Sequence, residues 1–138
     1  MPDMNEFNRA VIEEFRANDG KVGGQFEGAP VLLLTTTGAK SGERRTTPVV
    51  YLADGERMIV FASKAGAPTN PAWYHNLLAN PAVTVEVGSE TLDADAVVTT
   101  GEERDRLFDR QAAIYPQFSE YAQKTTRQIP VIALERKR

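Results

Sequence analysis

The chain has 138 residues, with sixteen Lys and Arg against nineteen Asp and Glu, one His and no Cys. That length fits a single domain over residues 1–138, able to bury about two-thirds of its extended-chain surface without disulfide or metal staples. Without thiols there are no thiolate nucleophiles, iron–sulfur clusters or thiolate zinc sites; one imidazole is too few for most transition-metal sites, and a net charge of −3 argues against a dedicated nucleic-acid binder.

The opening Met1-Pro2-Asp3-Met4-Asn5-Glu6 has no basic region before an apolar run, and apolar stretches such as Val31 to Leu34 fall far short of a membrane span. A soluble cytoplasmic protein is expected, without an integral membrane segment. From Asn5 to Ala17, Phe7, Val11, Ile12 and Phe15 recur at helical spacing and predict an amphipathic helix. Its apolar stripe is expected to cover the rest of the domain. Peripheral membrane contact is the weaker reading, because the polar face carries Glu6, Glu13 and Glu14 in place of a basic band.

Asp19-Gly20-Lys21-Val22-Gly23-Gly24 ends that helix, and Val31 to Thr37 predicts the first strand. Arg45 to Ala53 and Arg57 to Ser63 follow as strands, joined at Asp54-Gly55 in a hairpin turn. Asn70-Pro71 predicts a helix start, with Asn70 as cap, and Asn80-Pro81 its end. Ala82 to Val87 and the alternating Thr91 to Thr99 form the next hairpin through Gly88-Ser89-Glu90.

Thr100-Gly101-Glu102-Glu103 has capping-box spacing ahead of a helix carrying Leu107, Phe108 and Ala112. Tyr115-Pro116 breaks it before a short helix through Tyr121; Pro130 to Leu134 is a sixth strand, and Arg136-Lys137-Arg138 reads as a solvated tail. Six strands in successive hairpins with few helices between them predict a mainly β, α+β fold: a small antiparallel closed or split β-barrel with flanking helices.

Positive charge gathers between the first two strands, in Gly38-Ala39-Lys40-Ser41-Gly42-Glu43-Arg44-Arg45. A hairpin with solvated cations is the plain reading. A nucleotide P-loop fails, since Ala39 and Leu34 stand where that motif needs Gly. A second cluster, Ser63-Lys64-Ala65-Gly66-Ala67-Pro68-Thr69-Asn70-Pro71, leads into the predicted helix, where Lys64 and free amides can meet an anion. One of Trp73 and Tyr74 is expected in the core and the other on a pocket wall.

His75 reads as a surface residue. No triad and no convincing carboxylate pair is present, because Glu102 and Glu103 are expected in a cap, and Asp93 and Asp95 on the polar face of a strand. What remains suits an anionic, planar cofactor that brings its own reactivity.

Three motifs carry a family resemblance. They are Leu33-Leu34-Thr35-Thr36-Thr37-Gly38-Ala39-Lys40-Ser41-Gly42 with Arg45; Ala62-Ser63-Lys64-Ala65-Gly66-Ala67 with Asn70-Pro71-Ala72-Trp73-Tyr74-His75-Asn76-Leu77; and Tyr115-Pro116 before Arg127-Gln128-Ile129-Pro130. In order and spacing the chain resembles the deazaflavin-dependent nitroreductase and quinone reductase family, which binds coenzyme F420. The resemblance implies a six-stranded, flavin-reductase-like split β-barrel and an oxidoreductase passing hydride from reduced F420 to a quinone-like, nitroaromatic or other conjugated small-molecule acceptor.

By the same resemblance Lys40, Ser41 and Arg45 match positions for the cofactor's phosphate and acidic tail, Ser63 and Lys64 the following cofactor loop, and Asn70, Pro71 and Trp73 the flanking helix. Arg44 joins them on charge alone. Tyr115, Tyr121 and Tyr51 are the candidate proton donors, because a phenol can donate to a developing oxyanion. Phe118 lacks the hydroxyl that nitroimidazole-reducing members tend to present there, which counts against nitro-drug activation. The alternatives are a split barrel binding flavin mononucleotide (FMN) and a non-catalytic cofactor-binding module; a homodimer is compatible with each.

Overall fold

The computed structural model describes residues 4–23, 30–63, 70–125 and 128–137, with side chains from residue 8 onward. Its elements are α1 (Met4–Ala17), β1 (Val31–Thr37), β2 (Arg44–Asp54), β3 (Arg57–Phe61), α2 (Ala72–Ala79), β4 (Ala82–Val87), β5 (Glu90–Val98), α3 (Gly101–Ile114), α4 (Gln117–Lys124) and β6 (Val131–Arg136). The strands close into a barrel in the order β1-β2-β3-β6-β5-β4, every neighbouring pair antiparallel.

Alternation along the strands divides the core. Leu32, Leu34, Met58, Val60, Val83, Val85, Ala94, Ile132 and Leu134 fill the barrel with Trp73 and Leu77 of α2. The opposite faces are covered from outside: Leu52, Ile59, Phe61, Val131 and Ala133 lie under α3 and α4, and Val31 and Leu33 under Phe15 of α1. β1 is therefore buried on both faces, which is why its sequence is an unbroken apolar run before the threonines.

Val11 and Phe15 are buried, so this part of the α1 stripe is spent on the domain as expected; the side chain of Phe7 lies outside the described residues. The helix is latched by Arg16, whose Nε and Nη2 donate to the two carboxylate oxygens of Glu86 at 3.0 and 2.8 Å. Beyond it, Gly20 (φ 94) passes so close to the β4–β5 turn that a Cβ there would sit 2.7 Å from the Gly88 Cα. Among the described residues no helix is long and apolar enough to cross a membrane.

Several local expectations change. The residue before α2 is Pro71 (φ −67, ψ 155), which has no side-chain acceptor, so the cap position assigned to Asn70 lies one residue later. Thr100 does precede α3 but makes no side-chain cap bond: Gly101 turns the chain through φ 60, and Glu103 accepts from Arg57 at 3.4 Å in place of closing a box. β3 ends at Phe61, and α4 runs on to Lys124.

Arg136 is not tail but the last residue of β6, paired in register with Ala94 and bridged to Glu90 at 2.9 Å; the Lys137 amide donates to the Asp93 carbonyl. Arg138 lies outside the described residues.

Candidate functional site

An antiparallel ring sorts its connections to two ends. The 38–43 loop, the departure of β3 at Ser63, and the segments that join α2, α3 and α4 to the barrel share one end; the tight turns after β2 and β4 share the other. The barrel thus gathers the first cation loop, Ser63 and α2, which lie far apart in sequence.

Backbone bonds shape the loop. The Gly38 amide donates to the Glu43 carbonyl at 2.7 Å, the Gly42 amide to the Gly38 carbonyl at 3.0 Å, and the Glu43 amide to Ser41 Oγ at 3.1 Å. A Cβ on Gly38 would stand 2.5 Å from Ser41 Oγ, so a larger residue there would push the Ser41 hydroxyl from its place against the Glu43 amide. Lys40 is exposed and, among the described residues, has no ion pair. Arg45 is exposed as well and, among the described residues, its one ion pair is with the similarly exposed Glu43, at 3.3 Å. A surface pair of this kind contributes at most about 1 kcal/mol, so both cations are available to an anion.

Arg44 is differently engaged. Its guanidinium donates to Thr37 Oγ1 at 3.2 Å and Thr84 Oγ1 at 2.6 Å, bracing β2 across β1 to β4. Helix α2 holds the loop from the other side. The Ala39 amide donates to Asn76 Oδ1 at 3.1 Å, while Asn76 Nδ2 donates to the hydroxyl of buried Thr36 at 3.2 Å.

Sequence reading assigned Asn76 no role of its own. The available signal was a carboxamide in a helix interior, where Asn is unfavourable unless its side chain bonds elsewhere. On the same helix Trp73 enters the barrel core, Tyr74 is half-buried, and His75 is exposed with its ring edge-on to Tyr74, as expected. Ser63, Asn70 and Pro71 are half-buried at this end of the barrel; Lys64 lies outside the described residues.

Of the three phenols, Tyr115 and Tyr121 come together around Phe118, with ring centroids 6.4 and 5.3 Å from it, and Phe118 packs edge-on against Phe61 at 5.7 Å. Phe61 ends the strand that delivers Ser63, so these two phenols sit beside the loop end. Tyr51 does not: it lies roughly 23 Å along β2 from Arg44, at a rise of about 3.3 Å per residue.

The described residues contain no group of three or more potential metal ligands. The groups whose pKa is displaced lie away from the loop. Hydrogen bonds from Arg57, with help from Arg110, hold the Asp54 carboxyl below its ordinary pKa, and Arg57 is raised by the same Asp54 contact.

A family model described as F420H(2)-dependent quinone reductase matches residues 7–136. The chain belongs to that family. An F420H(2)-dependent quinone reductase of Mycobacterium tuberculosis is 37% identical over 129 residues, 89% of this chain and 85% of that protein. A solved F420-H2 dependent reductase, FDR-A, superposes with a TM-score of 0.71 at 42% identity, covering 77% of this chain and 94% of its own. A second solved relative, described as a domain-swapped dimer, gives a TM-score of 0.73 at 36% identity over 96% of this chain and 100% of its own. The resemblance carried by the three motifs is borne out, and the barrel expected from the strand pattern is the family's fold.

Proposed function

We propose that this chain is a reductase that takes hydride from reduced coenzyme F420 and gives it to a quinone-like acceptor, with the anionic part of the cofactor held at the 38–45 loop. The observation that carries the reading is the pairing of two available cations, Lys40 and Arg45, with a loop backbone fixed by Asn76. This donor set fits a phosphodiester with a string of carboxylates, since ammonium, guanidinium and the Ser41 hydroxyl all donate to oxyanions. When bound, the reduced deazaflavin supplies the hydride.

The protein's part is binding, orientation and exclusion of water. Lys40, Ser41 and Arg45 anchor the anionic tail; Ser63, Asn70 and Pro71 line the neighbouring end of the barrel, and by the family resemblance Lys64 belongs to the same cofactor loop. Trp73 supports that end from inside the core, and Arg44 keeps the strands beneath the loop in register. Tyr115 Oη and Tyr121 Oη are the groups best placed to donate a hydrogen bond to the oxygen that gains charge in the acceptor. Phe118 between them supplies an apolar wall without a hydroxyl, which favours quinone-like over nitro acceptors. Such a reaction asks the protein for no nucleophile.

A cytoplasmic site of action and self-association as a homodimer complete the reading, the latter resting on the relative described as a domain-swapped dimer. The deciding experiment titrates the protein with oxidised F420 and, separately, FMN, then measures oxidation of reduced F420 with menadione. Tight F420 binding with turnover is expected. Tight FMN binding without F420 binding selects the flavin alternative, and F420 binding without turnover selects the non-catalytic module.

A further inference from the structure

The opposite end of the barrel carries a cavity of about 500 Å³ lined by Tyr51, Ala53, Met58, Val87 and Arg136, with Gly55, Glu56, Arg57 and Lys137 around it. Strand alternation explains it. Tyr51, Val87 and Arg136 share the inward parity of the core residues on their strands but are only partly covered, and with Met58, the last inward residue of β3 at this end, they form the rim of a barrel mouth that is left unfilled. Leu32, Val60, Val85 and Leu134 are fully buried below and separate this cavity from the cofactor loop.

We propose that this mouth is a second small-molecule site, for a carboxylate that carries an aromatic ring, such as an arylalkanoate. The volume lies in the range that takes a one- or two-ring molecule. The walls are of two kinds. Tyr51, Met58 and Val87 offer a phenol face, a thioether and a branched aliphatic surface, which suit an aromatic ring. The charged lining is one carboxylate, Glu56, against three cations, Arg57, Arg136 and Lys137, on a chain that is acidic as a whole.

The three cations are not equally committed. Arg57 is tied to Asp54 at 2.6 Å with both side chains about three-quarters covered (25% and 22% exposed), so it is a structural support. Arg136 and Glu90 meet at 2.9 Å with 42% and 55% exposure, and Lys137 reaches Asp95 only at 3.6 Å. Exposed pairs of this kind are weak, so a ligand carboxylate competes for Arg136 and Lys137. The Tyr51 hydroxyl makes no hydrogen bond to a described residue and is a spare donor at the same mouth.

The test uses 4-phenylbutyrate as probe, titrated into the ¹⁵N-labelled full chain and followed by amide chemical shifts. Saturable shifts centred on Tyr51, Met58, Val87 and Lys137 are expected, with the dissociation constant at least fivefold weaker in Arg136→Gln and unchanged in Lys40→Ala. Val87→Trp, which fills the cavity, abolishes the shifts; if it fails to fold, the exposed Arg136→Gln still decides. Shifts that are absent or centred on the 38–45 loop, equal binding of 4-phenylbutanol, or an unaltered affinity in Arg136→Gln would each overturn the proposal. None of these outcomes bears on F420 binding, so the two sites stand or fall separately.

Discussion

Asn76 and Ala39, 37 positions apart, are joined by a hydrogen bond from the Ala39 amide to Asn76 Oδ1, and the same carboxamide donates to Thr36. Asn76→Leu therefore loses two bonds and leaves a buried hydroxyl without its donor, which costs about 1–3 kcal/mol of stability. Urea unfolding measures that loss, and the F420 dissociation constant rises because the loop is no longer fixed. Asn76→Asp keeps the acceptor for Ala39 and restores binding more fully than stability. A wild-type dissociation constant in the leucine variant would show that the loop positions itself.

Charge at the loop is separable by residue. Lys40→Ala and Arg45→Ala each weaken oxidised F420 by roughly tenfold, equivalent to about 1.4 kcal/mol for one charge-assisted contact, and affect FMN less. Glu43→Gln works in the other direction: it frees Arg45 from its exposed partner and tightens F420 up to about fivefold. Fluorescence titrations at several salt concentrations check both signs.

Asp54 predicts an acid-side loss of stability. Its folded pKa is depressed, chiefly by the hydrogen bond from Arg57 and further by Arg110, so the folded state binds its proton less readily than the unfolded chain does. The contribution is present above the unfolded value of about 3.9 and lost as pH falls through the folded one. Thermal melts from pH 7 down to pH 2 should show the stability gap between wild type and Asp54→Asn narrowing as the carboxyl protonates. A gap constant with pH would assign the effect to packing.

Gln111 is fully buried on the inner face of α3, and neither its Oε1 nor its Nε2 has a hydrogen-bond partner among the described residues. Burying an unpaired amide is unfavourable by about 1–3 kcal/mol. Gln111→Leu, of similar volume, is expected to leave folding unchanged or raise the melting temperature by several degrees, as read by calorimetry. A clear drop would mean that a partner outside the described residues satisfies the amide.

The strands were legible because burial imposes a period. β1 and β4 lie where the apolar runs place them, and β5 alternates as Leu92, Ala94, Ala96 and Val98 predict. What was not legible depends on backbone direction or on distant partners. Thr100 has the right spacing for a capping box, but the chain turns left-handed at Gly101 and Thr100 makes no side-chain cap bond. Arg136 extends β6 by pairing with Ala94 of β5 and bridging to Glu90, and local composition cannot report that.

The site divides in the same way. Lys40, Ser41 and Arg45 are visible as charge between glycines. The bracing of Arg44 onto Thr37 and Thr84 and the grip of Asn76 on the loop cross from strand to strand or from helix to loop, and only the closed ring brings those partners together. Tyr51 has the same phenol as Tyr115 and Tyr121 but stands toward the far end of β2.

Strand order has a consequence for biogenesis. β6 is inserted between β3 and β5, so a nascent chain that has already formed the five earlier strands still presents two naked edges until residues 131–136 leave the ribosome. Those edges are the surfaces through which partly synthesised copies would pair with one another, and a stop codon before Val131 should yield inclusion bodies even though the cation loop is already encoded.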